Sequence, residues 1–186
     1  MNFSSRRAHL RQSTSASHQA LEAIVGQLDS HQSYVRYLKG MFVFRSAAEA
    51  AIARAWPSTW VWSPSALAPL LAADIRDLGQ AVPAAGERTA KVIKDTESLL
   101  GCLYVLEGSS LGARVLVKDA AALGYDKSHG ARHLEHQSAS LESWRALIDT
   151  IETRAELDLA KLSAAAVTAF DEAAAAMMLK DYDVRG

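Results

Sequence analysis

A long helical pattern that contains three glycines is the feature that most constrains this sequence. From about Thr89 to Leu123, apolar residues recur at intervals of three and four without a proline, which predicts one continuous helix. Gly101, Gly108 and Gly112 fall inside it and share a narrow sector of one face at about 100° per residue. Each costs roughly 0.5–1 kcal/mol relative to alanine. We therefore expect a compensating gain, which could be contact with a flat ligand, a kink, or a closely packed neighbouring helix.

The rest of the chain is also periodic in the helical sense and lacks an alternating strand pattern. A stripe from Leu10 through His18 to Leu28 predicts a first helix that begins near Ser5. Further helices are predicted over residues 31 or 32 to 56, 63 to 79, 138 to 151 and 158 to 181. The expected fold is all-α, a bundle of about seven or eight helices in a single domain over residues 1–186.

Composition limits the classes of function. Lys and Arg total 20 against 21 Asp and Glu, and the formal net charge of -1 removes general attraction to nucleic acid or anionic membrane. The N-terminus lacks the apolar core of a signal peptide, and no run approaches the roughly 20 apolar residues that span a bilayer. The single cysteine, Cys102, cannot form an intramolecular disulfide. These features predict a soluble cytoplasmic protein without nucleic acid or membrane partners.

His18 is the strongest single candidate for chemistry. It lies on an otherwise apolar stripe, where we expect it to face inward and to hydrogen-bond, stay neutral or bind a ligand. A core histidine bonded to a carbonyl is the alternative interpretation. The other histidines fall near helix ends or in polar segments and are predicted to lie on the surface: His9, His31, His129, His133 and His136.

Several common site motifs are missing from the sequence. There is no Glu-x-x-His pair for a ferritin-like di-iron site, no Walker loop and no dinucleotide fingerprint. Gly108-Ser109-Ser110-Leu111-Gly112 fits the pattern Gly-x-Ser-x-Gly, but it lies within a predicted helix with no preceding strand, so no nucleophile elbow is predicted. A haem site accounts for both unusual features of the chain. One histidine can ligate the iron from one side, while a glycine-lined helix lies flat against the other face of the ring.

Two motifs resemble those of the bacterial heme oxygenases, especially the branch that supplies biliverdin to bacteriophytochromes. The first motif is Leu10-Arg11-x-x-Thr14-x-x-x-His18-x-x-Leu21-Glu22. The second and more specific one is Leu103-Tyr104-Val105-Leu106-Glu107-Gly108-Ser109-x-Leu111-Gly112. Helix order and length agree over nearly the whole chain, whereas residues 57–90 and those after 124 agree only in general character. The resemblance implies a heme-oxygenase-like bundle whose distal helix is kinked at its glycines.

The resemblance also implies roles for particular residues. His18 would be the proximal iron ligand. The distal wall would be formed by Gly108, Ser109, Gly112 and Ala113, the last at a position where many relatives have a second glycine. The haem propionates would pair with Arg11 and, more weakly, with Tyr104, Lys180 and Arg185. For these last three, a core tyrosine and solvated basic side chains are the alternatives.

The activity implied by the resemblance is oxidative cleavage of haem to biliverdin, ferrous iron and carbon monoxide. Heme b would be both substrate and cofactor, together with O2. Electrons would come from a ferredoxin or other reductase, because the chain has no flavin or nicotinamide motif, and a bacteriophytochrome could receive the biliverdin. One alternative is a haem-binding or haem-shuttling protein of the same fold without turnover. A thiamine-degrading or di-iron enzyme and a structural interaction module are the others.

Overall fold

The computed structural model describes residues 5–84, 93–139 and 141–179. These residues form eight helices and no β-strand, which confirms the all-α prediction. In chain order the helices are α1 Arg6–Val25, α2 His31–Ala55, α3 Ala68–Asp77, α4 Thr96–Gly108, α5 Ser110–Ala122, α6 Arg132–Ala139, α7 Leu141–Thr153 and α8 Leu159–Met177.

Helix α8 forms the centre of the bundle and packs against α4, α1 and α2. Its buried side consists largely of small residues, which allow neighbouring helices to approach closely. These residues include Ala166, Ala169, Ala173 and Ala176. The alanine-rich composition of this segment therefore reflects its central position.

Gly101 belongs to this packing. A Cβ atom on Gly101 would lie 2.6 Å from the Cβ of Ala165 and 2.8 Å from the backbone nitrogen of Ala166. Both distances are shorter than van der Waals contact, so the two helices would have to move apart to make room for the added atom. Of the three compensations expected for the glycines, close helix packing is the one that applies to Gly101.

Replacing Gly101 with alanine is expected to lower the free energy of unfolding by about 1–3 kcal/mol, because overpacking outweighs the gain in helix propensity. Urea unfolding followed by circular dichroism measures the change. Gly112→Ala is the matched control, since a Cβ there would meet no atom within 4 Å. An undiminished free energy of unfolding for Gly101→Ala would contradict the proposed packing role.

Helix α3 begins later than predicted. Its predicted start is residue 63, but the helix begins at Ala68. The carboxylate of Glu49 in α2 accepts hydrogen bonds from the backbone N–H groups of Leu67 at 2.9 Å and Ala68 at 3.1 Å. A side chain from another helix therefore caps α3, and local sequence could not reveal it.

The predicted long helix is broken into two. Helix α4 ends at Gly108 and α5 begins at Ser110, with Ser109 in the turn between them. The first half starts at Thr96, where Asp95 and Ser98 form a reciprocal capping box. The predicted start near Thr89 lies outside the described residues.

The combined span Thr96–Ala122 contains 27 residues and is long and apolar enough to cross a bilayer by length and composition. This differs from the expectation that no such run exists. Half of its most apolar window is buried inside the protein, as in the core helix of a globular domain. A single helix of this kind is a weak indication of membrane insertion.

Candidate functional site

His18 lies where the apolar stripe of α1 leaves the core. Leu10 and Thr14 are buried, but the His18 side chain is 56% exposed, so the inward position predicted for it is wrong. Its Nδ1 is 3.4 Å from Oε2 of Glu22, and its ring packs edge-on against Phe170 of α8 with centroids 5.6 Å apart. A carboxylate beside one ring nitrogen fixes the orientation of an imidazole whose other nitrogen binds a ligand.

Helix α5 presents an uncovered face at Gly112. No atom of the described residues would lie within 4 Å of a Cβ on this residue, and the nearby Leu111 and Val115 side chains are 49% and 61% exposed. Helix α1 packs on α7 and α8, and α5 packs on α6 and α4, whereas α1 and α5 make few or no direct contacts in the described part of the chain. Exposed apolar side chains around a bare backbone indicate a surface that a ligand or partner covers.

Helices α1 and α4 meet at Thr14 and Tyr104, whose side chains are hydrogen-bonded. One turn further along α1 lies His18, and one turn further along α4 lies Gly108, followed by Gly112 in α5. The histidine and the glycine face are thus both placed a short distance from a fixed helix contact. A Cβ on Gly108 would come within 3.3 Å of the Trp144 ring, so this glycine is only partly open.

Basic side chains gather near Tyr104. Burial raises the pKa of Tyr104, and the hydrogen bond with Thr14 and the charges of Arg7 and Arg11 partly offset this rise. The Arg7 guanidinium also lies 5.8 Å from the centroid of the Trp144 ring, a cation–π distance. The predicted propionate partners Arg11 and Tyr104 are therefore neighbours. Arg7 is a further basic candidate, which the sequence analysis did not predict.

The hydroxyl of Ser109 makes its hydrogen bonds at the break between α4 and α5. It donates to the Leu106 carbonyl at 2.6 Å and accepts hydrogen bonds from Arg45 Nη2 at 3.1 Å and from the Gln137 side-chain amide. With its donor and both acceptor positions in use, this hydroxyl stabilises the break. Only the backbone of Ser109 remains for the distal wall predicted from the sequence.

Ala113 is placed differently from its glycine neighbour. It is buried in the core with 1% of its surface exposed, whereas Gly112 is exposed. Adjacent residues on a helix point about 100° apart, so the Ala113 methyl group does not line the open face. Ala113 was expected in the distal wall, but its methyl group points into the core and not toward this face.

His133, predicted to lie on the surface, is fully buried. Its Nδ1 is 2.7 Å from Oδ2 of the buried Asp74, and its Nε2 is 3.4 Å from the Tyr37 hydroxyl. Burial lowers the pKa of His133, although the adjacent Asp74 opposes this shift. The polar segment around it predicted a loop or a short helix at the surface, and the structure has the short helix α6. The prediction failed for His133 because its buried partner Asp74 is remote in sequence.

Two further site predictions lie outside the described residues, namely Lys180 and Arg185. Within the described ranges, no group of three or more His, Cys, Asp or Glu side chains could hold a metal ion. A haem iron requires only one protein ligand, so this finding bears on the di-iron alternative and not on His18.

Similar proteins are known at the level of both sequence and fold. No family model matches the sequence. The chain is 33% identical over 167 residues to heme oxygenase PigA of Pseudomonas aeruginosa, an alignment that covers 83% of this chain and 82% of that protein. Its fold matches that of the NO- and CO-bound heme oxygenase from Neisseria meningitidis with a TM-score of 0.72 and 26% identity. That match covers 94% of this chain and 90% of the other.

Proposed function

The chain belongs to the heme oxygenase family, and we propose that it binds haem between His18 on α1 and the Gly112 face on α5. It is an enzyme that cleaves haem to biliverdin, with release of ferrous iron and carbon monoxide. The observation that supports this location best is an exposed histidine and an uncovered glycine face on two helices that hardly touch.

The residues on these two helices and on α4 have the chemistry that haem requires. A flat apolar ring requires bare backbone and apolar side chains on its faces, which Gly112, Leu111 and Val115 provide. Its two propionates require basic or hydrogen-bonding groups at one edge. Arg11 provides one, and the Tyr104 hydroxyl would provide another by exchanging its hydrogen bond with Thr14 for one to the propionate. The iron requires an imidazole nitrogen, which His18 provides without removing a side chain from the core.

On the proximal side, Glu22 acts through His18. Its carboxylate stands beside the imidazole Nδ1, so Nε2 is the nitrogen that would ligate the iron. A carboxylate beside the second ring nitrogen helps to orient a ligating histidine. The edge-on contact with Phe170 restricts rotation of the ring.

On the distal side, the absence of side chains is the functional feature. Haem supplies both the iron at which O2 reacts and the ring that is oxidised. At Gly112 the bare backbone of α5 would allow a flat ring to approach closely, whereas the space beside Gly108 is filled by the Trp144 ring. Ser109 contributes by holding the helix break behind this wall.

Arg11 is assigned to a haem propionate, with Tyr104 as a second partner and Lys180 and Arg185 as weaker ones. Replacing Arg11 with alanine should raise the Kd for hemin by about two- to fivefold, because an exposed ion pair contributes up to about 1 kcal/mol. Absorption titration measures the change. Arg36→Ala, an exposed arginine on α2, should leave the Kd at the wild-type value. An equal loss in both variants would remove Arg11 from the site.

The reaction also defines the partners. Heme b and O2 are the substrates, and the electrons come from a ferredoxin or another reductase, since the sequence has no flavin or nicotinamide motif. A bacteriophytochrome is the proposed recipient of biliverdin. The cytoplasm is the proposed location, where such reductants are available.

Turnover is tested by titrating the purified protein with hemin and then adding ascorbate or a ferredoxin system in air. We expect a saturating Soret band that decays as biliverdin absorption appears. A Soret band that persists under reductant and oxygen would identify a haem carrier. A lack of stoichiometric binding would contradict the site altogether.

A further inference from the structure

Arg45 is a fully buried cation in the middle of α2. Its Nη2 donates to the Leu106 carbonyl at 2.6 Å and to the Ser109 hydroxyl at 3.1 Å. Its Nη1 donates to Oε1 of Glu49 at 3.3 Å and to the Ser65 carbonyl at 3.4 Å. One guanidinium group therefore joins α2, the segment before α3 and the break between α4 and α5.

The contact with Leu106 has a specific structural consequence. The last four carbonyl groups of an α-helix have no partner within the helix, and Leu106 is among those of α4. Arg45 and the Ser109 hydroxyl both donate to this carbonyl. The Leu106 carbonyl at the break between α4 and α5 is thereby satisfied by a side chain from α2. The geometry of the break depends on where that side chain is anchored.

Glu49 supplies the anchor. Its carboxylate pairs with Arg45 and accepts the backbone N–H groups of Leu67 and Ala68 at the start of α3. Arg45 is thus held from one side by Glu49 and holds the helix break on the other. Burying a charge is costly, and apolar residues of similar volume often stabilise a fold equally well. The stability of the fold therefore does not explain this buried ion pair, and we look for its role in the geometry that it fixes.

We propose that Arg45 is a positioning residue that fixes the angle between α4 and α5, and with it the distance between the Gly112 face and His18. This inference rests on the proposed haem site. With α5 fixed, haem would bind in a single orientation. Only one of its meso carbons would then be oxidised. Lysine cannot replace arginine in this role, because a single ammonium group cannot bridge Leu106, Ser109 and Glu49 with the geometry of the planar fork.

The first test measures geometry without turnover. Gln19 on α1 and Lys118 on α5 are exposed and would be replaced by cysteine and spin-labelled, while Cys102 is buried. Pulsed electron paramagnetic resonance on the haem-free protein gives the distribution of distances between the labels. We expect one narrow distribution in the wild-type background and in Arg36→Met, the exposed control on the same helix, and a broadened or shifted distribution in Arg45→Met and Arg45→Lys.

The second test measures the product. The biliverdin isomers formed by each variant are separated by chromatography, with kcat and the hemin Kd determined in parallel. We expect one isomer from the wild type and Arg36→Met, and a mixture from both Arg45 variants. A misplacement of about 1 Å reduces rates on the order of 100-fold, so kcat should fall about 10- to 100-fold while the Kd changes little.

These results separate the two proposals. If the wild type binds haem without forming biliverdin, turnover fails while the spin-label distances still test Arg45. If the wild type is active and Arg45→Lys keeps both the narrow distribution and the single isomer, the positioning role is wrong. If Arg45→Met does not fold, Arg45→Lys decides the outcome by the same two measurements.

Discussion

Replacing His18 with alanine is expected to abolish biliverdin formation and the histidine-ligated haem spectrum while the fold survives. Neither Glu22 nor Phe170, the side chains beside the imidazole, is a suitable axial ligand for this haem. The fold should survive because the His18 side chain is more than half exposed, and surface substitutions of this kind change the free energy of unfolding by no more than about 0.5 kcal/mol. Circular dichroism and a hemin titration followed by reductant in air measure the two effects.

Two controls make this result specific. His9→Ala removes another exposed histidine from α1 and should leave the Soret band and turnover unchanged. Added imidazole should restore a nitrogen-ligated spectrum to His18→Ala, because the space vacated by the side chain opens to solvent. If His18→Ala retains the wild-type spectrum, the proximal ligand lies elsewhere and the proposed site is wrong.

The helices were predictable because their signals are local. Stripes at steps of three and four identified α1, α2, α7 and α8 within a few residues of their observed ends. The start of α3 was not predictable, since its cap is Glu49 from α2. The break at Ser109 was suggested by the glycines, but the side chains that stabilise it, Arg45 and Gln137, come from α2 and α6. Sequence periodicity carries no information about such tertiary contacts.

The candidate site was predictable to a similar degree. A histidine on an apolar stripe and a row of helical glycines made His18 and Gly112 the candidates, because both conflict with their local pattern, although His18 lies at the surface and not inward as predicted. Periodicity alone could not distinguish Gly101, which packs against α8, from Gly112, where an added Cβ would meet no atom within 4 Å in the described part of the chain. His133 was misplaced because its partner Asp74 lies in α3, 59 positions earlier.

Gly112 provides the test that separates a ligand-binding face from a packing face. Replacing it with alanine should raise the free energy of unfolding of the haem-free protein by about 0.5–1 kcal/mol, since helix propensity improves and no atom lies within 4 Å of the new Cβ. Gly112→Leu should leave the fold intact but weaken hemin binding by about 1–3 kcal/mol, on the order of 5- to 150-fold in Kd, because the side chain occupies space that the ring requires. Urea unfolding and absorption titration measure these two quantities.

Ala121→Leu is the matched control for this substitution. Ala121 is exposed on the same helix and lies about 180° around it from Gly112, so a leucine there adds the same bulk away from the proposed haem face. Its hemin Kd should equal that of the wild type. A gain in stability with Gly112→Ala together with a loss of haem affinity with Gly112→Leu is expected only if a ligand contacts the bare backbone of Gly112. If Gly112→Leu binds hemin as tightly as Ala121→Leu, the haem does not lie against this face of α5.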